Sequence, residues 1–206
     1  MDKTLVKICG LTSCSEAEYL NKYGGDFAGM VLFFPKSKRN ITLDRAKEIM
    51  SALNENIKKV AVTVSPTKEQ IIQIQQAGFD YIQIHGPLVG EILDTISIPV
   101  LKAFNVSDMG DYEFYHSCSK VAGYVFDAAE YGSGKTFDWE LMKNVPRDEK
   151  LLFLAGGLND ENVGDAVRFV KPDGVDVSSG VEFSDRSGKD PEKIRKFICC
   201  AKSAND

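Results

Sequence analysis

The sequence predicts a closed barrel of eight parallel β-strands with a helix after each strand. Eight short apolar runs alternate with segments of helical periodicity along the 206 residues. The runs are almost continuously hydrophobic, which is typical of strands buried on both faces. Eight repeats in this length leave about 26 residues for each strand and helix, a spacing that suits such a barrel. No Pro-rich or Gly/Ser-rich linker interrupts the pattern, so one domain over residues 1–206 is expected.

The predicted strands are rich in β-branched and aromatic residues. They are Leu5–Cys9, Phe27–Phe34, Lys59–Val64, Tyr81–His85, Val100–Phe104, Gly123–Asp127, Leu151–Ala155 and Gly174–Val177. A doubly wound open sheet is the competing architecture. It usually has fewer strands at this length, and no G-x-G-x-x-G fingerprint follows the first run. The barrel is therefore favoured.

Helices are predicted where apolar residues recur three and four positions apart. Five segments carry clear spacing: Ser15–Tyr23, Thr42–Leu53, Thr67–Ala77, Asp160–Val170 and Asp190–Ala201. Ser15, Thr42 and Asp190 are expected as N-caps, and Pro191 suits a first helical position. Three segments carry weaker patterns: Pro87–Ile96, Asp108–Ser117 and Trp139–Val145.

Composition excludes several classes of protein. A net charge of −5 and an isoelectric point near 5.2 argue against non-specific nucleic-acid binding. No run approaches the 18 apolar residues of a membrane helix, and the first residues contain no signal-peptide core. The five cysteines are irregularly spaced, which predicts neither a disulfide framework nor a metal site. We expect a cytoplasmic protein, either monomer or homodimer, with no membrane partner.

Polar and reactive side chains stand at the predicted carboxyl ends of strands, where barrel enzymes place their chemistry. Cys9 ends the first strand, His85 the fourth and Asp127 the sixth, while Asp176 lies in the eighth. Arg39 follows the second strand. Singly, each has a structural explanation: a small buried thiol, a core histidine, a capping carboxylate or a surface charge. Their common location predicts a functional site at this face of the barrel.

Glycine-rich segments after the last strands predict an anion site. Barrels often bind phosphate with backbone amides of the loops after strands 7 and 8. Gly156 and Gly157 fall in the first of these loops, and Ser178-Ser179-Gly180 falls in the second. A third flexible loop, Gly132-Ser133-Gly134, follows strand 6 and is either a lid or a plain mobile turn. Its spacing is not that of a nucleotide P-loop.

Several motifs, in order along nearly the whole chain, resemble those of the phosphoribosylanthranilate isomerases. The motifs are K-I-C-G-L-T (Lys7–Thr12), Q-I-H-G (Gln83–Gly86), G-S-G-K-T-F-D-W (Gly132–Trp139), L-A-G-G-L (Leu154–Leu158), E-N-V (Glu161–Val163) and V-D-V-S-S-G-V-E (Val175–Glu182). The resemblance implies an Amadori rearrangement of N-(5-phosphoribosyl)anthranilate in tryptophan biosynthesis, with no cofactor and no metal.

The resemblance also implies roles for individual residues. Cys9 maps onto the family's general base and Asp127 onto its general acid. Arg39 maps onto the arginine that contacts anthranilate, and Asp176 onto an aspartate near the ribose. His85, in the Q-I-H-G motif, is expected among the substrate-binding residues. The two glycine-rich loops map onto the family's phosphate loops.

The implied chemistry sets expectations for the two catalytic pKa values. Asp127 must be protonated to act as an acid, so we expect burial beside an anionic substrate to raise its pKa. Cys9 must be a thiolate to act as a base, which requires a lowered pKa. Lys7 lies on the same strand face as Cys9 by the period of two, and its charge is expected to lower that pKa.

Two departures from the family pattern concern loops. The family usually has S-P-R where this chain has Ser37-Lys38-Arg39, and the missing proline predicts a looser loop. Tyr131 replaces the first glycine of the loop after strand 6, which affects the lid. Two alternatives stay open: an isomerase of histidine-pathway aminoaldoses, in which an aspartate would stand at Cys9, and a barrel that binds a sugar phosphate without catalysis.

Overall fold

The computed structural model describes residues 3–88, 90–105, 110–127 and 139–204, and it confirms the eight-stranded parallel barrel. The strands are β1 (Leu5–Cys9), β2 (Phe27–Leu32), β3 (Lys58–Val64), β4 (Tyr81–His85), β5 (Val100–Asn105), β6 (Val121–Asp127), β7 (Leu151–Leu154) and β8 (Gly174–Val177). β1 pairs in parallel with both β2 and β8, which closes the ring. A two-residue strand, Asn40–Ile41, pairs with the end of β2 outside the ring.

Two apolar layers explain why the strands are hydrophobic on both faces. Inward-facing side chains, among them Val62, Leu101 and Val125, form one cluster inside the barrel. The outward-facing side chains pack with the helices into a second, larger cluster. At the amino end of the barrel, the Phe27 ring packs edge-on against Phe153, with the centroids 5.1 Å apart. The interior is filled there by aromatic side chains.

In the described ranges, seven α-helices surround the barrel. They are α1 (Cys14–Tyr23), α2 (Leu43–Ala52), α3 (Lys68–Ala77), α4 (Glu91–Thr95), α5 (Tyr112–Ser117), α6 (Val163–Val170) and α7 (Pro191–Lys202), and two 3₁₀-helices cover Trp139–Asn144 and Ser179–Val181. Asp190 caps α7 as predicted, accepting from the backbone N–H groups of Glu192 and Lys193. Within the described ranges, no helix has the length and apolar character needed to cross a bilayer.

Some predicted boundaries were wrong. β2 ends at Leu32 rather than Phe34, because Phe33 takes a left-handed backbone conformation with φ of 58°. The N-cap of α1 is Ser13 rather than Ser15, and Ser13 forms a capping box with Glu16. α6 begins at Val163 rather than Asp160, since the Asn159 side chain accepts from the next backbone N–H groups and forms a turn instead.

The three weaker helix predictions were too long. The predicted helix Pro87–Ile96 is one turn over Glu91–Thr95, preceded by Gly90 at a φ of 54°. In the segment Asp108–Ser117, the described helix is Tyr112–Ser117. Trp139–Asn144 is a 3₁₀-helix rather than an α-helix. Short helices at these places have few intrahelical hydrogen bonds, so packing against the barrel holds them.

Candidate active site

A cavity of about 390 Å³ opens at the carboxyl ends of the barrel strands. Predicted site residues that line it are Cys9, Arg39, His85, Asp127, Gly156, Gly157, Asp176, Ser178 and Ser179. Apolar side chains from neighbouring strands, including Val31, Val62 and Val125, form much of its wall. The structure thus brings together residues that are up to 170 positions apart in the chain. The possible lid residues Gly132, Ser133 and Gly134 lie outside the described residues.

Cys9 and Asp127 reach the cavity from well-separated strands. Cys9 ends β1 and Asp127 ends β6, with two strands between them in one direction around the ring and four in the other. Their functional groups therefore approach a bound molecule from different sides. This arrangement suits an acid and a base that act on different atoms of one substrate.

Gly29, on β2, gives the Cys9 side chain its space. A methyl group at position 29 would lie 3.0 Å from the Cys9 sulfur and 3.2 Å from the Lys7 Nζ. The absence of a side chain at this position lets the thiol and the ammonium group share one niche beside β2. The prediction that Lys7 and Cys9 lie on one face of β1 is thereby confirmed.

Lys7 forms a buried ion pair that joins β1 to β8. Its Nζ lies 2.9 Å from Asp176 Oδ2, and the Lys7 side chain is fully buried. Burial lowers the pKa of Lys7, but the negative charges of Asp176 and Cys9 raise it more, so that the net pKa lies above the usual value. Lys7 is thus a fixed positive charge beside Cys9. The other carboxylate oxygen, Asp176 Oδ1, is buried and has no hydrogen-bond partner in the described part of the chain.

The expectation of a lowered Cys9 pKa was wrong. Burial of the thiol is the largest influence and raises its pKa, and the charge of Asp176 adds to the increase. Lys7 does lower the pKa as expected, by its charge and a hydrogen bond, but not enough to reverse the sign. The position of Lys7 beside Cys9 can be predicted from the sequence. The burial of the thiol cannot, because it depends on the closed barrel. The thiol form of Cys9 is therefore favoured over the thiolate.

His85 is a neutral polar group in the cavity wall. Burial lowers the pKa of His85 to about 3, and the charges of Lys7 and Lys102 act in the same direction. Nε2 of Gln83 and Nε2 of His85 lie 3.0 Å apart and share a hydrogen bond. Gln83 is itself 2% exposed and lines the cavity. At neutral pH this part of the site therefore offers hydrogen bonds without adding charge.

The loops after β7 and β8 are glycine-rich because their backbones turn and approach each other closely. Gly156 and Gly157 have φ values of 83° and 64°, a region that disfavours larger residues. Gly180 does not line the cavity. Instead, a Cβ at this position would collide with the backbone carbonyl oxygen of Leu158, so Gly180 allows the two loops to lie in contact. Lys189 donates from Nζ to the Ser178 carbonyl oxygen at 3.0 Å and places a positive charge near this loop.

Arg39 is held at the cavity rim by Glu182. Arg39 Nε donates to Glu182 Oε1 at 2.5 Å, and Lys38 Nζ donates to Glu182 Oε2 at 2.8 Å. A hydrogen bond from the Phe34 backbone N–H to Asn40 Oδ1 also joins the two ends of the loop between β2 and the short strand Asn40–Ile41. These contacts hold the segment in which the family's usual proline is missing.

Sequence reasoning missed three residues of the site. Glu182 closes the V-D-V-S-S-G-V-E motif, and its position there was the available signal. Gln83 lies two residues before His85, so the strand period of two could have placed it in the barrel interior. Lys189 follows a polar loop and carries no sequence signal, because its burial depends on the tertiary contact with Glu182.

Comparisons with known proteins agree with this geometry. The family model for N-(5'-phosphoribosyl)anthranilate isomerase matches residues 6–199. The isomerase of Aquifex aeolicus is 40% identical over 205 residues, which cover 96% of this chain and 98% of that protein.

Solved structures extend the comparison to the fold. The phosphoribosylanthranilate isomerase of Thermotoga maritima superimposes with a TM-score of 0.84 at 36% identity, covering 97% of this chain and 98% of the other. An isomerase solved with reduced 1-(o-carboxyphenylamino)-1-deoxyribulose 5-phosphate superimposes with a TM-score of 0.79 at 35% identity, with the same coverage of both chains. Family model, relatives and structures agree over nearly the full length, and the chain belongs to the N-(5'-phosphoribosyl)anthranilate isomerase family.

Proposed function

We propose that this protein catalyses the Amadori rearrangement of N-(5-phosphoribosyl)anthranilate to 1-(2-carboxyphenylamino)-1-deoxyribulose 5-phosphate in tryptophan biosynthesis. One observation carries the proposal beyond family membership. A single cavity contains Cys9 and Asp127 from different strands, together with glycine-rich loops at the ends of β7 and β8. An acid, a base and a phosphate site are the parts that this reaction needs.

The phosphate end of the substrate is placed against the loops after β7 and β8. Gly156, Gly157, Ser178 and Ser179 line the cavity on this side. Backbone without bulky side chains can approach a phosphate closely and donate its N–H groups. Gly180 supports this site by allowing the loops to touch rather than by lining it. Gly132, Ser133 and Gly134 remain a proposed lid.

Asp127 is proposed to open the furanose ring. Its carboxyl group donates a proton to the ring oxygen, the C1′–O bond breaks, and the oxygen becomes the 4′-hydroxyl group. The lone pair of the anthranilate nitrogen forms the C1′=N bond of an iminium ion. General acid catalysis of this kind typically contributes a factor of about 10²–10⁴ in rate.

Cys9 is proposed to act in the second step, as a thiolate. It removes the proton from C2′, and the electrons of that C–H bond form a C1′=C2′ double bond while the iminium nitrogen becomes neutral. The resulting enol tautomerises: the C2′ hydroxyl loses its proton and C1′ gains one, which gives the ketone. Since burial favours the thiol, the thiolate beside Lys7 is the less populated but active form.

The remaining polar groups are proposed to position the substrate. Asp176 Oδ1 is buried at the cavity and lacks a partner among the described residues, so a ribose hydroxyl group can donate to it. Arg39 is assigned to the anthranilate carboxylate, which a guanidinium group can bind through two parallel hydrogen bonds. His85, neutral at the working pH, is assigned to a hydrogen bond with the substrate.

A fluorescence assay tests the proposal. Phosphoribosylanthranilate is generated in situ, and the loss of its emission is followed with the wild type, Cys9→Ala and Asp127→Asn. We expect wild-type turnover and a loss of at least about 10²-fold in each variant. The matched controls are Cys200→Ala, on α7, and Asp165→Asn, whose carboxylate is exposed on α6. Both should retain turnover.

The alternatives give different results. A wild type that binds sugar phosphates without turnover supports a non-catalytic barrel and contradicts the proposal. Turnover of a histidine-pathway aminoaldose phosphate in place of phosphoribosylanthranilate supports the other isomerase. Full activity in Cys9→Ala would leave the isomerase in place and remove Cys9 from the mechanism.

A further inference from the structure

Glu182 lies among three cationic side chains at the cavity rim. Its Oε1 accepts from Arg39 Nε at 2.5 Å and from Lys189 Nζ at 3.3 Å, while its Oε2 accepts from Lys38 Nζ at 2.8 Å. Arg39 lines the cavity, but Glu182 does not. The carboxylate therefore holds the arginine from the side that faces away from the substrate space.

We infer that Glu182 is a positioning residue that orients the Arg39 guanidinium group toward the carboxylate of the substrate. The inference rests on the proposed function, in which Arg39 binds the anthranilate carboxylate. It assigns to the last residue of the V-D-V-S-S-G-V-E motif a task in binding the anthranilate part of the substrate.

The hydrogen bonds of Arg39 support this orientation. A guanidinium group carries five N–H donors in a rigid planar fork. Glu182 occupies the Nε donor, and neither Nη atom of Arg39 has a hydrogen-bond partner among the residues that the structure describes. The edge formed by the two Nη atoms is thus left for a ligand, and this edge matches the two oxygens of a carboxylate.

Glu182 can orient Arg39 because Glu182 is itself fixed. It follows the 3₁₀-helix Ser179–Val181, and its backbone N–H donates to the Ser179 carbonyl oxygen at 3.1 Å. Lys189, which is 2% exposed, binds both Glu182 and the Ser178 carbonyl oxygen. Burial raises the pKa of Glu182, but the hydrogen bonds from Arg39 and Lys38 and the charges of Lys189 and Arg39 together lower it to about 2, so the group stays ionised at neutral pH.

Gly10 packs against the aliphatic part of Arg39. The backbone of Gly10 has a φ of 78°, and a Cβ there would overlap the Cδ of Arg39. The aliphatic part of the arginine thus lies directly on the K-I-C-G-L-T segment that carries Cys9. Two contacts therefore determine the direction of the guanidinium group: Gly10 beneath its stem and Glu182 at its Nε.

Lys38 contributes less to this arrangement. Its side chain is 72% exposed, and exposed ion pairs contribute little to stability. Arg39 is only 17% exposed, so its bond to Glu182 is better shielded from water. The effect of removing Glu182 should therefore be carried by Arg39.

A binding cycle with two stable ligands tests the inference. Reductive amination of ribose 5-phosphate with anthranilate gives 1-(2-carboxyphenylamino)-1-deoxyribitol 5-phosphate, and the same reaction with aniline gives the analogue without a carboxylate. Calorimetry then compares both ligands with the wild type, Glu182→Gln and Arg39→Met. Glu192→Gln is the matched control, since Glu192 is an exposed carboxylate that pairs with Arg195 on α7.

We expect Glu182→Gln to raise the Kd of the carboxylated ligand about 10-fold. The Kd of the analogue without a carboxylate should rise less than about twofold. Arg39→Met should give the same pattern with a larger loss, and Glu182→Gln should add little in that background. Glu182→Asp keeps a charge for Lys189 but shortens the side chain, so it should show an intermediate loss confined to the carboxylated ligand. Thermal melting of each variant verifies that it is folded.

Three results would overturn the inference. Equal weakening of both ligands by Glu182→Gln would make Glu182 a support of the phosphate loop, and no weakening of either would remove it from binding. Failure of the wild type to distinguish the two ligands would remove the carboxylate contact on which the inference depends. Turnover of phosphoribosylanthranilate by the wild type is measured in parallel, so a failure of the proposed function is detected separately from a failure of Glu182.

Discussion

The Nζ of Lys7 lies 2.9 Å from Asp176 Oδ2, and this buried ion pair connects the first and last strands of the barrel. Cys9 shares the niche beside Lys7, so one cation serves two groups that can each be negatively charged. The pair therefore belongs both to the closure of the barrel and to the chemistry at its carboxyl face.

Replacement of Lys7 by Met should lower stability and catalysis together. The variant leaves Asp176 buried without its partner, which typically costs about 3–5 kcal/mol of unfolding free energy. It also removes the charge that lowers the Cys9 pKa, so the thiolate becomes scarcer. Urea unfolding measures the first effect, and the pH profile of kcat/KM measures the second.

The double variant Lys7→Met/Asp176→Leu separates these two effects. Removing both partners of a buried pair is often close to neutral for stability. We expect the double variant to recover most of the lost unfolding free energy but no activity. Recovery of activity would contradict the assignment of Lys7 and Asp176 to the site.

In the pH profile of kcat/KM, the limb that reports ionisation of the catalytic base should lie above neutral pH. Because burial raises the pKa of Cys9, the thiolate fraction, and with it kcat/KM, should increase with pH above neutrality. A carboxylate base titrates several units lower than a thiol. In Cys9→Asp the limb should therefore move to lower pH, whatever the absolute rate. An unchanged limb in Cys9→Asp would show that another group is titrating.

Gly180→Ala should weaken the phosphate site. The added Cβ meets the carbonyl oxygen of Leu158, a backbone atom that can move only with its loop. Overpacking of this kind costs about 1–3 kcal/mol and should separate the loops after β7 and β8. Inhibition by inorganic phosphate measures the loss.

Gly24→Ala is the comparison for Gly180→Ala. Gly24 has a φ of 81°, but a Cβ there meets nothing within 4 Å. It should show only backbone strain, about 1 kcal/mol of unfolding free energy, with unchanged inhibition by phosphate. Equal effects of both variants on inhibition would mean that Gly180 is not specific to the phosphate loop.

Much of the fold was predictable because it depends on local pattern. The first and last residues of β1, β4 and β8 match the predicted runs, because polar turns on both sides of a continuous apolar segment mark where the strand begins and ends. The short helices α4 and α5 were overestimated, because their length depends on packing rather than on periodicity.

The site residues at strand ends could be predicted from the sequence. Features that depend on burial, or on contacts between residues far apart in the chain, could not. Cys9, Asp127 and His85 follow from the topology of a barrel. The raised pKa of Cys9 depends on burial, and the contact between Arg39 and Glu182 joins residues 143 positions apart. No local sequence pattern predicts the raised pKa of Cys9 or the contact between Arg39 and Glu182.

Acid should destabilise the protein through two groups, His85 and Glu182, whose pH ranges differ but overlap. His85 has a folded pKa of about 3, below the 6.5 of an unperturbed histidine. Between these values the unfolded chain binds a proton that the folded protein does not, so stability falls as the pH decreases from 6.5 toward 3. One such group contributes at most about 1.4 kcal/mol per pH unit. Chemical denaturation at pH 7, 6, 5 and 4 should show a smaller slope in His85→Gln than in the wild type.

Glu182 should act at lower pH. Its folded pKa of about 2 lies below the usual glutamate value of 4.5, so its ionised form stabilises the fold above pH 4.5 and this contribution is lost as the pH falls toward 2. The difference in unfolding free energy between the wild type and Glu182→Gln should thus stay constant from pH 7 to 5.5 and decrease below 4.5. A difference that changes between pH 7 and 5.5 would contradict the assignment, because in that range Glu182 is ionised in both the folded and the unfolded chain.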